Sequence, residues 1–219
     1  MTKQALEEKL GIDLKAYQTP NWAEFRGDHH SQSCICDDAG DVVGLILKGI
    51  ELATLELPIL NELVYCCISD NEKLESLAFQ GDLSNLKHLD VSDNQLKELE
   101  IPTNLSQLEY LYAANNKLET LRLASDFSNI RLIDLSNNNL LLLKIESPMP
   151  KLEFLYLRQN AITTFDFIAF PNLQILDLEE NALEQLPANF LTLEKLDTLY
   201  LNENPLNNIP TFRLGKIPR

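Results

Sequence analysis

Residues 86–96 read Leu86-Lys-His-Leu89-Asp-Val91-Ser-Asp-Asn94-Gln-Leu96, with apolar residues at positions 1, 4, 6 and 11 of the stretch and asparagine at position 9. The pattern occurs eight times between Val42 and Leu206, and its fourth position falls at residues 45, 66, 89, 111, 133, 155, 176 and 199. Successive copies are therefore 21 to 23 residues apart. A period of this length is typical of a solenoid in which each copy forms one coil.

Each copy contains a short segment of alternating apolar residues, x-L-x-L-x at positions 3 to 7, which predicts a strand. Positions 4 and 6 then point into the core, whereas positions 3 and 5 point out of the sheet. The asparagine at position 9 follows the strand, where we expect its amide to bond to backbone groups that a turn leaves without partners. The sequence therefore predicts a structural asparagine ladder, formed by Asn71, Asn94, Asn116, Asn138, Asn160, Asn181 and Asn204.

The repeats cover about three quarters of the chain and resemble those of bacterial leucine-rich-repeat proteins. The resemblance implies an α/β leucine-rich-repeat solenoid that is right-handed, has eight coils of about 22 residues and carries a concave parallel sheet. The first copy deviates at position 9, where Ile50 replaces asparagine. On the convex side, residues 96–101 and 118–123 predict extended segments, and the Leu186-Pro187 dipeptide predicts a short helical turn after it.

We divide the chain into an N-terminal cap at residues 1–41, the repeats at residues 42–210 and a C-terminal tail at residues 211–219. A solenoid needs a cap because its first coil otherwise exposes one face of the core to water. Trp22 and Phe25 offer large apolar surfaces that can cover this exposed coil end. The chain has only 7 glycines and no glycine-rich or proline-rich stretch between its halves, so we expect one continuous array.

The cap itself contains two predicted elements. Thr2 is suited to begin a short helix as its N-cap, and Gly11 is suited to end it in the left-handed conformation. Residues 33–36 and 41–45 flank a turn-rich stretch, which predicts a hairpin. The chain then reaches the first repeat as an antiparallel strand.

The formal charge of -15 and the pI near 4.5 argue against nucleic acid or an anionic membrane as the partner, since both are polyanions that bind through lysine and arginine. A protein partner with a basic or neutral surface fits better, and the pattern sets no oligomeric state. The first residues lack the apolar run of a secretory signal. We therefore expect a cytoplasmic protein.

Cys34, Cys36, Cys66 and Cys67 are the four cysteines. We expect reduced thiols, with one cross-link between the cap and repeat 2 as the alternative. A zinc site that combines residues 28–30, Asp-His-His, with Cys34 and Cys36 is a second alternative, but the ligand spacing differs from that of structural zinc sites. No metal and no cofactor are expected.

Catalytic signatures are missing from the sequence. The Gly215-Lys216 pair is preceded by Pro210 where a phosphate-binding loop would have its first glycine. None of the three histidines stands at a recognisable spacing from a serine or cysteine nucleophile. The chain is therefore predicted not to be an enzyme.

The outward positions 3 and 5 predict a concave face that nothing else in the chain covers. Position 3 is largely aromatic or aliphatic, as in a partner site, and Asp90, Asp134, Asp177, Glu179 and Glu180 supply a polar rim. The alternative is that these residues reflect only the repeat consensus, L-D-L or L-Y-L. The predicted partner-binding residues are Tyr65, His88, Tyr110, Tyr112, Leu132, Phe154, Tyr156, Arg158, Ile175 and Tyr200.

The N-terminal segment, with residues 5–14 and later residues 40–45, is similar to the cap of the leucine-rich repeats in prokaryotic Roco proteins. In that family a GTPase domain follows the repeats. The resemblance leaves two classes open, namely a free-standing interaction module and the sensing or dimerising arm of a larger signalling enzyme.

Overall fold

The computed structural model describes residues 1–18, 25, 32–124, 126–165, 170–186 and 192–207. These residues form an almost entirely β solenoid with one short helix among them. The elements are α1 (Lys3–Leu10), β1 (Lys15–Gln18), β2 (Gln32–Cys36), β3 (Val42–Leu47), β4 (Thr54–Leu57), β5 (Tyr65–Cys67), β6 (Ser76–Phe79), β7 (His88–Asp90), β8 (Tyr110–Tyr112), β9 (Thr120–Leu123), β10 (Leu132–Asp134), β11 (Leu142–Ile145), β12 (Phe154–Tyr156), β13 (Ile175–Asp177) and β14 (Thr198–Tyr200).

Ten of these strands form the main sheet, in the order β1-β2-β3-β5-β7-β8-β10-β12-β13-β14. Its last eight strands belong to the eight repeats, and all of them are parallel and in register. Leu132, for example, lies opposite Tyr110 on one side and Phe154 on the other, so position 3 always meets position 3. The predicted solenoid and its strand register are confirmed.

The core is filled by the positions that the sequence pattern predicts. In the third repeat, Leu86, Leu89, Val91 and Leu96 are fully buried. Repeats 4 to 7 bury the same four positions, and the side chains of neighbouring coils join in one apolar cluster along the solenoid. A single coil has no neighbour against which to bury these residues, so stacking is what stabilises each of them. The first two coils depart at position 11, where Leu52 is exposed and Lys73 is replaced in the core by Leu74.

The convex side is irregular. Strand β4 pairs with β6 and β9 pairs with β11, which confirms an extended segment within residues 118–123. Residues 96–101 form no strand, although Leu96 and Leu99 are buried there. The residue after strand β6, Gln80, donates its N–H to the Leu57 carbonyl of the preceding coil. Pro102 occupies the equivalent place after residues 96–101, and proline has no N–H to donate.

The helical turn predicted after Pro187 lies outside the described residues, as do Trp22 and residues 208–219. Within the described part of the chain, no helix has the length and the apolar run that crossing a membrane requires.

The N-terminal elements agree with the prediction. The Thr2 hydroxyl accepts a hydrogen bond from the Ala5 N–H at 3.5 Å, and Gly11 ends α1 with φ of 67°. Strand β2 is antiparallel to β3. Strand β1, which the sequence does not predict, pairs in parallel with β2 at the outer edge of the sheet. Only Tyr17 of its four residues is buried, so no alternation of apolar residues marks it.

A left-handed residue follows the strand in every coil, at position 8. Gly49 fills it in the first coil, and seven non-glycine residues fill it afterwards, with φ between 54° and 58°. This conformation costs about 1–2 kcal/mol for an ordinary L-residue, less for asparagine and aspartate. Stacking offsets the cost in the first seven coils, where the position-8 N–H donates to a carbonyl of the next coil. The seven residues are Asp70, Asp93, Asn115, Asn137, Gln159, Glu180 and Glu203.

The asparagine side chains join each coil to its neighbour. The amide nitrogen of Asn138 donates to the Ala113 carbonyl of the preceding coil at 2.9 Å. It also donates to the carbonyls of Leu135 and Ser136 in its own turn. Its oxygen accepts the N–H of Leu118 at 3.1 Å. The same set of bonds recurs at Asn116, Asn160, Asn181 and Asn204.

Replacing Asn138 by alanine is expected to lower the free energy of unfolding by about 2–4 kcal/mol, because buried backbone groups lose their partner. Asn139→Ala is the matched control, since Asn139 is exposed and should change stability by no more than about 0.5 kcal/mol. Urea denaturation of the two variants measures the difference. Equal stability would show that the ladder contributes little.

Leu155→Ala is expected to cost about 2–5 kcal/mol, because Leu155 is fully buried at position 4 and the substitution leaves a cavity. Its neighbour Phe154 faces outward and is only half-buried, so Phe154→Ala should cost much less. Thermal melts of both variants test the register. A larger loss for Phe154→Ala would contradict it.

Candidate functional site

The concave face of the main sheet is formed by the side chains at positions 3 and 5. In repeats 3 to 8 these side chains are half-buried, while the intervening position 4 is fully enclosed in all but the last strand. Position 3 supplies His88, Tyr110, Leu132, Phe154, Ile175 and Thr198. Position 5 supplies Asp90, Tyr112, Asp134, Tyr156, Asp177 and Tyr200.

The first two coils are different, because the N-terminal cap covers their concave side. Tyr65, Ile46 and Cys67 are buried with Tyr17 and Phe25 in an apolar cluster separate from the solenoid core. The Phe25 ring stands edge-on to Tyr65 and Tyr17, at centroid distances of 5.7 and 5.9 Å. Two predictions are therefore wrong. The face is not open along its whole length, and Tyr65 belongs to the packing of the cap, with 9% of its surface exposed.

His88 lies at the boundary between the covered and the open parts of the face. Its ring stacks on Tyr65 with centroids 4.4 Å apart and an angle of 11° between the planes. On the other side it contacts Tyr112 and Tyr110 at 5.3 and 6.0 Å. An aromatic cluster thus runs from the buried cap on to the open sheet.

Beyond His88, position 3 forms an apolar row of Tyr110, Leu132, Phe154 and Ile175. Strand pairing places each of these residues directly beside the next, at the roughly 4.8 Å spacing of neighbouring strands. The row is continuous, and within the described residues nothing packs over it as Phe25 packs over Tyr65. We call these four residues the apolar row.

Aspartate and tyrosine alternate at position 5 of repeats 3 to 8. The Oδ1 atoms of Asp90, Asp134 and Asp177 each accept the backbone N–H two residues later at 3.0 Å. These aspartates therefore stabilise the turn after the strand. For them, this supports the alternative that the residue type reflects the repeat consensus and not a partner. The turn uses one carboxylate oxygen of each residue, so the same residues still present negative charge on the face.

Partial burial raises the pKa values of Tyr112 and Tyr156, and the neighbouring carboxylates of Asp134 and other residues raise them further. Both tyrosines therefore keep their protons and can donate a hydrogen bond at neutral pH. Burial also raises the pKa of Asp177, although the hydrogen bond from the Glu179 N–H opposes this. Position 5 thus alternates hydroxyl donors with carboxylate acceptors.

Arg158, another predicted contact residue, is engaged within the chain. Its guanidinium pairs with Glu179 at 2.8 Å and with Glu180. Glu180 also accepts a hydrogen bond from Gln159 at 2.9 Å, and these bonds lower the pKa of the Glu180 carboxyl. A partner that contacts the Arg158 guanidinium therefore also meets Glu179 and Glu180, whose carboxylates already offset its charge.

A polar cleft lies on the opposite side of the apolar row, before the strands begin. Arg131 pairs with Glu153 at 2.7 Å, and Lys151 donates to the Asn129 side chain at 2.6 Å. The period-2 pattern of the strands covers only positions 3 to 7, so it does not mark this cleft in the sequence. Its lining residues are Glu109, Asn129, Arg131, Lys151, Glu153, Asn172, Gln174 and Lys195.

The four cysteines are free and buried. Burial raises the pKa of Cys34 to about 12 and that of Cys67 to about 11, and it raises that of Cys66 well above its usual value. The nucleophilic and metal-binding form of cysteine is the thiolate, which is scarce at these values. Residues 28–30 of the zinc alternative lie outside the described residues, and the described ones include no group of three metal ligands.

The native thiols are expected to react at least about a hundredfold more slowly with a thiol reagent at neutral pH than those of the denatured chain. The raised pKa values and the burial of all four sulfurs both act in this direction. Timed labelling followed by mass spectrometry of the peptides measures each site. A cysteine that reacts at the denatured rate would have to be exposed.

The described residues have the leucine-rich-repeat fold. The sequence model of the family described as Leucine Rich repeats (2 copies) matches residues 84–125 and 150–189. The chain is 31% identical to a Roc-COR-CHAT protease of an unknown prokaryotic organism, in a match that covers 94% of this chain and 22% of that protein. The chain thus spans about a fifth of that curated relative.

Solved structures agree on the fold. YopM, a leucine-rich effector protein from Yersinia pestis, superposes with a TM-score of 0.65 at 29% identity, over 80% of this chain and 48% of YopM. The leucine-rich-repeat domain of APL1B superposes with a TM-score of 0.63 at 19% identity, over 94% of this chain and 67% of that domain. The second similarity concerns the fold alone.

Proposed function

We propose that this chain is a non-catalytic module that binds a protein partner on the open concave face of repeats 3 to 8. The apolar row carries the proposal. Tyr110, Leu132, Phe154 and Ile175 form a continuous, partly exposed stripe on the sheet, in an otherwise strongly acidic chain. Stripes of this kind mark partner sites, and tyrosine and phenylalanine are frequent anchors in them.

The covered part of the face supports the proposal by example. In repeats 1 and 2 the same outward positions hold residues such as Ile46 and Tyr65, and Phe25 packs on them. The concave sheet of this chain therefore already accepts an aromatic side chain from a separate segment. We propose that a partner does the same on repeats 3 to 8.

The consensus alternative explains position 5 better than position 3. The position-5 aspartates have a structural task in the turns, whereas no bond or turn of the coil requires Phe154 or Leu132 to be large and apolar. Apolar surface that is exposed to water costs free energy. A row that has no structural task is therefore expected to be covered by a partner.

A second candidate is that the module is the recognition arm of a larger signalling protein. The match to the Roc-COR-CHAT protease favours it, because it extends over nearly the whole of this chain, including the cap. In that case any catalytic group lies outside residues 1–219, and the concave face keeps its binding task. Sequencing the gene beyond codon 219 separates the two candidates.

We further propose a cytoplasmic location and a partner whose contact surface is basic or neutral. The charge of -15 makes polyanions poor partners for this chain. The free thiols in the structure agree with a reducing compartment.

The double variant Tyr110→Ala/Phe154→Ala is expected to weaken partner binding by about 1–4 kcal/mol and to change the melting temperature little, because both residues face outward. The matched control is Leu141→Ala/Leu142→Ala, which removes two exposed apolar residues from the convex side. Quantitative pull-downs from native lysate compare the wild type and both variants.

A protein retained by the wild type and by the convex control, but lost from the concave variant, is the expected result. Retention of the same proteins by all three chains would contradict a concave site. Loss from the convex control alone would assign binding to the convex side.

A further inference from the structure

We propose that the partner presents lysine or arginine side chains to one edge of the apolar row, at intervals of about 10 Å. This inference rests on the proposed function and specifies the chemistry of the segment that binds there. It assigns the apolar row to the partner's apolar side chains and the adjacent carboxylates to its cations.

The charges on the two sides of the apolar row are unequal. The side that follows the strands, made of positions 5, 7 and 8 of repeats 3 to 8, has seven carboxylates and one cation, Arg158. The side that precedes the strands consists of the residues two and four places before position 4. In the same repeats it has three carboxylates and four cations. The face is therefore polarised across its width, beyond what the overall charge requires.

The cation Arg158 is already paired with Glu179 and Glu180. Within the described residues, the other five carboxylates of that side form no ion pair. They are Asp90, Asp93, Asp134, Asp177 and Glu203. Arg158 acts on Asp177 and Lys48 acts on Asp90 only from beyond ion-pair distance. A cation from outside can therefore form a direct ion pair with each of the five carboxylates.

The apolar row and these carboxylates cannot be covered separately. Asp134 is two residues from Leu132 on the same strand and faces the same side, and Asp177 stands in the same relation to Ile175. A partner that packs on Leu132 and Ile175 therefore also withdraws water from the neighbouring carboxylates. Burying a carboxylate without a counter-charge is unfavourable, so an entirely apolar partner would bind poorly.

The alternation at position 5 sets the interval between the cations. Asp90, Asp134 and Asp177 stand on every second strand of the repeats, which separates them by roughly 10 Å. Side chains three residues apart in an extended segment, or seven apart on a helix, have nearly the same separation. Tyr112 and Tyr156 lie between the carboxylates and offer hydroxyl groups to the backbone or polar side chains of the segment.

The test uses the whole chain as bait for a random-peptide phage library whose members are long enough to span three coils. Selected peptides are then measured by fluorescence anisotropy against three double variants. Asp134→Asn/Asp177→Asn removes two charges, yet asparagine keeps the Oδ1 acceptor of each turn. Asp82→Asn/Asp126→Asn is the matched control, because these aspartates accept the same type of backbone bond, at 2.8 and 3.0 Å, outside the concave face.

We expect peptides enriched in apolar residues and in lysine or arginine. Their dissociation constants should rise about tenfold with Asp134→Asn/Asp177→Asn, remain unchanged with the control, and depend less on salt in the first variant. Melting curves of both variants should match that of the wild type.

The third variant, Tyr110→Ala/Phe154→Ala, distinguishes failure of this inference from failure of the proposed function. Peptides that need the two aromatic residues but are indifferent to Asp134 and Asp177, or that are neutral or acidic, would overturn the inference alone. Peptides indifferent to all three variants, or a selection that recovers none, would count against the proposed function and the inference together.

Discussion

The reversal of the chain after the strand of each repeat is the constraint on which the rest of the structure depends. The turn begins in a left-handed residue at position 8 and leaves carbonyls inside the solenoid that no strand can satisfy. One buried asparagine amide binds these carbonyls and also reaches into the preceding coil, as Asn138 does to Ala113 and Leu118. The same side chain thus permits the turn and sets the position of the adjacent coil. Even the first coil, which has Ile50 in place of asparagine, is tied by the Asn71 oxygen to the Ile50 N–H at 2.8 Å.

This fixed stacking is what turns single residues into surfaces. Because every strand is in register with the next, a residue type at position 3 becomes a row, and a residue type at position 5 becomes a second row beside it. A residue that lies two positions from another on the same strand therefore shares its solvent environment. The apolar and acidic parts of the concave face follow from this geometry, and a partner meets both together.

The sequence predicts the solenoid well, because positions 4, 6 and 9 each have one energetic task. Leu111, Ile133 and Leu155 must be apolar to fill the core, and the asparagines must be amides to bind the turn. The same rule assigns the outward positions from the spacing of the apolar residues alone. The left-handed conformation at position 8 is not predicted from the sequence, because aspartate, asparagine, glutamine and glutamate all occur there and no one residue type indicates it.

Contacts between distant segments are what the sequence does not predict. Tyr65 fits the outward pattern as well as Tyr110 does, but Phe25, forty residues earlier, packs on it from the cap and His88 stacks on its ring. The missing convex strand at residues 96–101 was recoverable in principle, because Pro102 cannot donate the bond that Gln80 donates. The polar cleft around Arg131 and Lys151 depends on side chains that meet across coils, which the alternation within one strand does not describe.

The alternation of aspartate and tyrosine has a consequence for how such an array can change in length. Its period is two coils, whereas the unit of the fold is one. Gain or loss of a single coil within repeats 3 to 8 would preserve the core and the asparagine ladder. It would, however, place two aspartates or two tyrosines side by side at position 5 and exchange aspartate for tyrosine in the order of the coils beyond that point. Gain or loss of a pair of coils keeps the phase, so the concave chemistry of this chain can be lengthened without disruption only in steps of two.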